Sequence, residues 1–252
     1  MKKLIITADD FGMSPAVNKG IIECAKREAI TGTSIMANGD WQGIEDILEL
    51  PRMSFGVHLN LTHLAPTNTL YPTELLTPEG LFPYWFIVDG QPTYDIDDEV
   101  VKDEYIAQIE KVGKLTEIHY LDHHHHLHRS DKCFPIVVEV AKKYGLPVRA
   151  VNLDMSARLR QRDIPCIERC VLDFFGEDVS EAVLKSALSS CAAESIELVT
   201  HPGTLSSLFD FDDYDKAYRT EETKILISDD IKKWISENFK LASYKEFKRS
   251  NR

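Results

Sequence analysis

Lys3-Leu4-Ile5-Ile6-Thr7, then Ala8-Asp9-Asp10-Phe11-Gly12-Met13, then Ser14-Pro15: from this opening run the rest of the chain can be read. Residues 3–7 are apolar and β-branched, the composition of a short buried strand. Ser14 supplies a helix N-cap, and Pro15 falls at the first helical position, where its missing N–H costs nothing. Val17, Ile21, Ile22, Cys24 and Ala25 continue at helical spacing to about Ala29. A strand feeding a helix through a short polar turn is the first half of a βα unit.

The same alternation recurs downstream. Residues 33–37 read as a strand, 43–50 as a helix stopped by Pro51, and 55–61 (FGVHLNL) as a strictly alternating strand. Further helices are predicted over 97–114, 134–144 (closed by Gly145), 182–191, 216–227 and 229–237. Further strands are predicted over 118–121, 147–151, 196–200 and 240–242, while 152–178 has no clear period. Seven or eight such units, without an internal repeat or a linker-like change of composition, predict one α/β domain over residues 1–252. Its architecture would be an irregular, distorted TIM-like (β/α) barrel. Residues 63–93 stand apart, with five of the eleven prolines and the aromatic run Phe82, Tyr84, Trp85, Phe86. A loop this long inside a domain tends to be functional. It is expected to be a substrate lid or a contact in a homodimer.

Composition narrows the function classes. Hydrophobic residues make up 43% and charged residues 28%, which excludes collagen-like, low-complexity and wholly disordered chains. With 29 basic against 41 acidic residues the net charge is −12, which argues against nucleic acid as a partner. No apolar run approaches the ~18 residues of a membrane span, so no membrane association is expected. The apolar stretch Leu4 to Ile6 is too short for a secretory leader. The five cysteines are odd in number and contain no CxxC pair, which suits buried thiols in a reducing cytoplasm.

The polar residues that interrupt this pattern share a position. Asp9 and Asp10 follow the first strand, His58 lies near the end of the third, Asp122 and a histidine cluster follow 118–121, and His201 ends 196–200. Ligands of parallel α/β folds bind at the carboxyl ends of strands. A turn at Gly12 would bring both Asp9 and Asp10 to one pocket, although an Asx turn capping the next helix is the plainer reading of the pair. Asn60 shares a strand face with His58. Six of the nine histidines lie between 119 and 128, and in an extended backbone Asp122, His124, His126 and His128 would share one side. Several imidazoles and a carboxylate aimed at one spot suit a divalent metal, without fixing which of them bind. His201, before Pro202-Gly203, could be a general acid or a turn-stabilising residue. Two histidines and a carboxylate for a cation, a second carboxylate to take a proton from water and a separate histidine to protonate a leaving group compose metal-assisted amide or ester hydrolysis. The same parts would serve phosphoester hydrolysis, sugar isomerisation or a non-catalytic metal or sugar site.

In these blocks the chain resembles the YdjC-like carbohydrate deacetylases, which include chitooligosaccharide deacetylase. The resemblance is carried by residues 7–14 (TADDFGMS), 18–21 (NKGI), 31–34 (TGTS), 56–62 (GVHLNLT), Leu121-Asp122 with 124–128 (HHHLH), and 201–203 (HPG). Tyr218-Arg219 with Glu221-Glu222 is similar to a late Arg-Glu motif of that family. The resemblance implies a distorted TIM-like barrel and a divalent cation, magnesium or zinc. It implies Asp10, His58 and His124 as metal ligands, Asp9 as the base and His201 as the acid. His126 and His128 would line the site, and Asn60 is taken with them as a substrate contact. The implied substrate is an N-acetylated sugar. The chain departs from the family at His123, where a small polar residue is usual, and 150–178 matches weakly.

Overall fold

The computed structural model describes residues 1–83, 87–88, 91–92, 96–205 and 213–247. The opening run forms β1 (Lys2–Phe11), longer than its apolar part suggests. Ser14 caps α1 (Pro15–Lys26) by accepting from the Val17 N–H. There follow β2 (Gly32–Ile35), α2 (Glu45–Leu48), β3 (Ser54–Leu59), a small hairpin β4 (Ile87–Val88) and β5 (Gln91–Pro92), α3 (Asp98–Gly113), β6 (Tyr120–His123) and α4 (Cys133–Tyr144). The remainder is α5 (Leu153–Arg160), β7 (Arg169–Val171), α6 (Glu181–Ser190), β8 (Ser195–Thr200), α7 (Asp213–Leu226), α8 (Asp229–Asn238) and β9 (Phe239–Leu241). Gly145 ends α4 in the left-handed conformation, φ 66.

Seven strands form one parallel sheet in the order β6-β3-β2-β1-β8-β7, with β9 also on β1. β1 pairs β8 through residues 3–8, β2 through its second half and β9 through its start. The sheet curls into an incomplete barrel. Residues 147–151, read as a strand, contribute only the bridge Leu121↔Val148, and Val148 N–H donates to the Pro165 carbonyl. Between β6 and β7 the described residues form no continuous strand pairing, only the two backbone bonds of the Leu121–Val148 bridge and the Val148–Pro165 bond, which distorts the barrel.

Alternation along β1 separates two cores. Leu4, Ile6 and Ala8 face a large cluster that takes Val17, Ile21 and Cys24 of α1, Val101, Tyr105 and Ile109 of α3, and Phe134, Val137 and Ala141 of α4. Ile5 belongs to a smaller cluster with Tyr120, Ile167, Cys170, Val199 and Tyr244. Tyr120 and Tyr244 stack there at 4.0 Å. Of the 63–93 loop, Tyr71 and Phe82 are buried against each other, and Glu104 accepts from the Thr67 and Asn68 N–H groups. This part packs on α3, and the aromatic residues 84–86, expected to be a lid or dimer contact, lie outside the described residues. All five cysteines are free and buried. Among the described residues no helix is long and apolar enough to cross a membrane.

Candidate active site

The two adjacent aspartates reach one pocket by a device other than the expected turn at Gly12. Ala8 pairs with Thr33 and Phe11 with Ile35, so Asp9 and Asp10 together oppose Ser34 alone. This is a β-bulge, which re-aims side chains that strict alternation would send to opposite faces. Asp10 takes a φ of 74, strained for a non-glycine residue. Beyond it Gly12 (φ 104) donates its N–H to Asn18 Oδ1 at 2.7 Å, and Asn18 bonds the Asp40 and Gln42 carbonyls, fixing the turn.

His58 and Asp122 are register partners across β3 and β6. His58 Nδ1 lies 2.8 Å from Asp122 Oδ1 and Nε2 lies 3.2 Å from Asp10 Oδ1. His124 Nδ1 reaches the same Asp10 oxygen at 2.9 Å. Asp10 is 1% exposed, and neither nitrogen approaches its Oδ1 with hydrogen-bond geometry, so that oxygen is left orphaned. Its Oδ2 accepts from Arg219 at 2.7 Å. Ligand atoms around a tetrahedral cation with bonds of 2.0–2.1 Å stand about 3.3 Å apart. The separations of 2.9 and 3.2 Å and the orphaned oxygen fit a divalent cation held by Asp10, His58 and His124. A second grouping, Asp9, His58 and Asp122, also comes together. Its carboxylates are already committed: Arg149 clamps Asp9 at 2.7 and 2.8 Å, and reaches Asp122 at 2.8 Å. Asp122 is thus placed to orient the His58 imidazole through Nδ1, as carboxylates do for imidazoles that bind metals.

Arg149, fully buried, also binds Glu197 at 2.8 Å, and Tyr244 donates to Glu197 at 2.5 Å. Ser34 donates to Asp9 at 3.2 Å and also to Asp122. Burial opposes a charge on Asp9, but Arg149, then His58, outweighs it and holds the carboxyl well below its ordinary range. Burial likewise opposes ionisation of Asp10, and His124 and Arg219 outweigh it in the same direction. For His58 burial is overridden by Asp122 and Asp9, which raise its pKa to about 10. For His124 burial prevails over Asp10 and lowers it to about 4.

His201 is half-buried at the end of β8, where Asp10, Arg219 and Asp9 are its charged neighbours, and burial lowers its pKa to about 4. Its ring tilts against the exposed Phe175 at 4.7 Å, and its N–H donates to Glu222 at 2.6 Å. Thr223 bonds both the N–H and the carbonyl of Gly203, so α7 holds the 201–203 turn. The structure therefore brings Asp9, Asp10, His58, His124 and His201 together. The expected alternation through the cluster does not occur. The chain leaves β6 at His123 into the 3-10 segment His124–Arg129, with His125 (φ 56) and His126 (φ 54) left-handed. His126 still borders the pocket, half-buried among Arg149, Asp9 and His201. His128 is fully buried, its ring 6.4 Å from that of His123. Asn60 is fully buried as well. Its Oδ1 accepts from the Thr62 and His63 N–H groups and its Nδ2 donates to the His63 carbonyl, so it shapes a turn and has no free group for a sugar. His123, the departure from the family pattern, is turned away from the Asp10–His58–His124 cluster. Its Nδ1 donates to the His124 carbonyl at 2.6 Å, and Tyr105 donates to its Nε2 at 2.8 Å.

Arg149 and Glu197 escaped the sequence reading, and Ser34, Arg219 and Glu222 entered only within motifs. The available signal was a charge inside an apolar strand, at Arg149 in PVRAV and Glu197 in IELVT.

A curled parallel sheet with a carboxylate–diimidazole cluster at the ends of its strands defines the class: a metal-site α/β barrel. The family model of YdjC-like proteins matches residues 3–237, and the chain belongs to that family. It is 32% identical over 243 residues to a carbohydrate deacetylase of Thermoanaerobacter pseudethanolicus, covering 94% of this chain and 96% of the relative. It is 29% identical over 255 residues to a chitooligosaccharide deacetylase of Proteus mirabilis, covering 96% and 98%. A crystal structure of an Enterococcus faecalis protein provisionally assigned to cellobiose-phosphate cleavage superposes with a TM-score of 0.85 at 27% identity, covering 98% of this chain and 99% of the other.

Proposed function

We propose that this chain is an enzyme that hydrolyses the acetamide of an N-acetylated sugar with the help of a divalent cation held by Asp10, His58 and His124. The observation that carries the reading is the orphaned Oδ1 of Asp10 facing two imidazole nitrogens, beside a second carboxylate and a third histidine. The two curated relatives, named for carbohydrate and chitooligosaccharide deacetylation, supply the substrate class.

A cation bound there supplies a Lewis acid for the acetyl carbonyl and makes a water molecule more acidic. Two imidazoles in the donor set favour zinc over magnesium. Asp9 takes the proton from the attacking water. Arg149 fixes the angle of that carboxylate and keeps it ionised, and Asp122 sets the ring of His58 through Nδ1. His201 delivers a proton to the departing amine. Burial keeps its ring neutral at rest; as negative charge develops beside it the ring takes up a proton from solvent and passes it to the amine, while the proton held by Asp9 returns to solvent. The products are acetate and the free amino sugar. His126, at the border, is placed to touch the sugar, whereas Asn60 and His128 act by holding the walls. Five buried, unpaired thiols support a reducing, cytoplasmic setting.

The test is acetate release from N-acetylglucosamine and its oligosaccharides, before and after chelation. Acetate should form, stop with chelator and return with zinc or magnesium. No metal-dependent acetate from any of these sugars overturns the reading.

A further inference from the structure

His124 presents two nitrogens to two different groups. Nδ1 faces Asp10, while Nε2 points outward and lies 3.2 Å from His63 Nδ1. The His63 ring stands nearly perpendicular to that of His124 (4.7 Å, 88°) and 5.3 Å from that of His125, and His124 and His125 stack at 4.1 Å. One ring nitrogen of each of the three lies within 4.8 Å of the others. The Thr62 hydroxyl stands 3.3 Å from His63 Nδ1 and 3.4 Å from His125 Nδ1, between the same two rings. We propose that His63, His125 and the outward nitrogen of His124 form a second cation site at the mouth of the pocket, specific for a zinc-class ion.

Geometry, chemistry and access each support this site. The 3.2 Å separation matches the edge of about 3.3 Å expected around tetrahedral zinc. Three imidazoles without a carboxylate select zinc, nickel or copper and give magnesium and calcium no hard oxygen. His124 is buried, His63 half-buried and His125 exposed, so the site opens to solvent and has an entry path. The rings are held in place locally. Asn60 accepts from the His63 N–H and donates to its carbonyl, and the left-handed backbone of His125 turns its ring toward His63. With Nδ1 on the inner cation, binding at Nε2 displaces the remaining ring proton to solvent and leaves His124 as a bridging imidazolate; that cost and the repulsion of two cations on one ring make the outer ion the weaker of the two. The site does not depend on which reaction the inner centre serves.

The test is zinc stoichiometry. Metal-free protein is dialysed against graded free Zn²⁺ and bound zinc is counted by mass spectrometry. The wild type should bind two zinc ions per chain in a tight and a weak class. His63→Ala and His125→Ala should each bind one ion with the tight class intact, which also reports that they fold. Asp10→Asn should lose the tight class, so failure of the inner centre reads apart from failure of the outer one. A single zinc per wild-type chain, or two in His63→Ala, overturns the proposal.

Discussion

Asp9 and Asp10 are chain neighbours with opposite partners, and their substitutions should separate. Asn at position 9 keeps the shape of the side chain and leaves Arg149 two carboxylates, Asp122 and Glu197. Turnover of Asp9→Asn should fall by about 10²–10⁴-fold, the range of a lost general base, with the tight zinc retained. Asp10→Asn should lose that zinc. Measuring both variants by acetate release and metal content checks the division, and equal zinc loss in the two would contradict it. Arg149 is a different case, because it neutralises three buried carboxylates at once. Removing one partner of a buried ion cluster leaves charges stranded, at a cost of about 3–5 kcal/mol. Arg149→Met should lose that much stability in urea unfolding, and an unchanged midpoint would show that the network carries little. The residue was hard to read in advance because periodicity marks where a strand runs and says nothing of which distant carboxylates an arginine within it meets. The histidines and aspartates were legible because they interrupt apolar strands at the ends where ligands bind.

At the scale of elements, strands and helices with strong apolar periods were readable, including β3, β8, α3 and α4. Two things were not, and both are breaks in regularity. The bulge in β1 adds one residue to a strand at an Asp-Asp pair that carries no sign of it, and the left-handed pair His125 and His126 ends an alternation that the histidine run would continue in an extended backbone. Such breaks are set by the neighbours a segment packs against. The contact of α1 with the 201–203 turn shows how tightly an element can place a site residue. A Cβ on Gly20 would fall 2.4 Å from the Cα of Gly203, next to His201. Gly20→Ala should therefore push the turn outward, lower acetate release and cost about 1–3 kcal/mol of strain, partly offset by the ~1 kcal/mol gain in helix propensity. Gly145→Ala is the control. Nothing lies within 4 Å of its added Cβ, so only the left-handed φ of 66 is penalised, and activity should stand. A Gly20→Ala variant as active as Gly145→Ala would show that the turn has slack.

Across the whole molecule, the start and end of the chain are built into one another. β1 carries β9 on its first residues, and Tyr244, just beyond β9, stacks on Tyr120 and donates to Glu197 of the Arg149 network. That network ends on Asp9 and Asp122, the latter bonded to His58. The proposed cation ligands Asp10, His58 and His124 come from β1, β3 and the segment after β6. Neither half of the chain can thus open without breaking contacts of the other, so urea unfolding should be a single transition, coincident by fluorescence and circular dichroism. The unfolded chain has no means of holding Asp10, His58 and His124 together, so zinc at the proposed centre should bind the native state alone. Free zinc at one hundred times the dissociation constant of the tight class should add about 2.7 kcal/mol to the unfolding free energy. It should raise the urea midpoint at unchanged slope, because the surface exposed on unfolding is the same. Chelator should return the midpoint to its metal-free value. A second transition that ignores zinc would mean that part of the barrel unfolds independently of the site, and a midpoint indifferent to zinc would mean that the three ligands do not act as one centre.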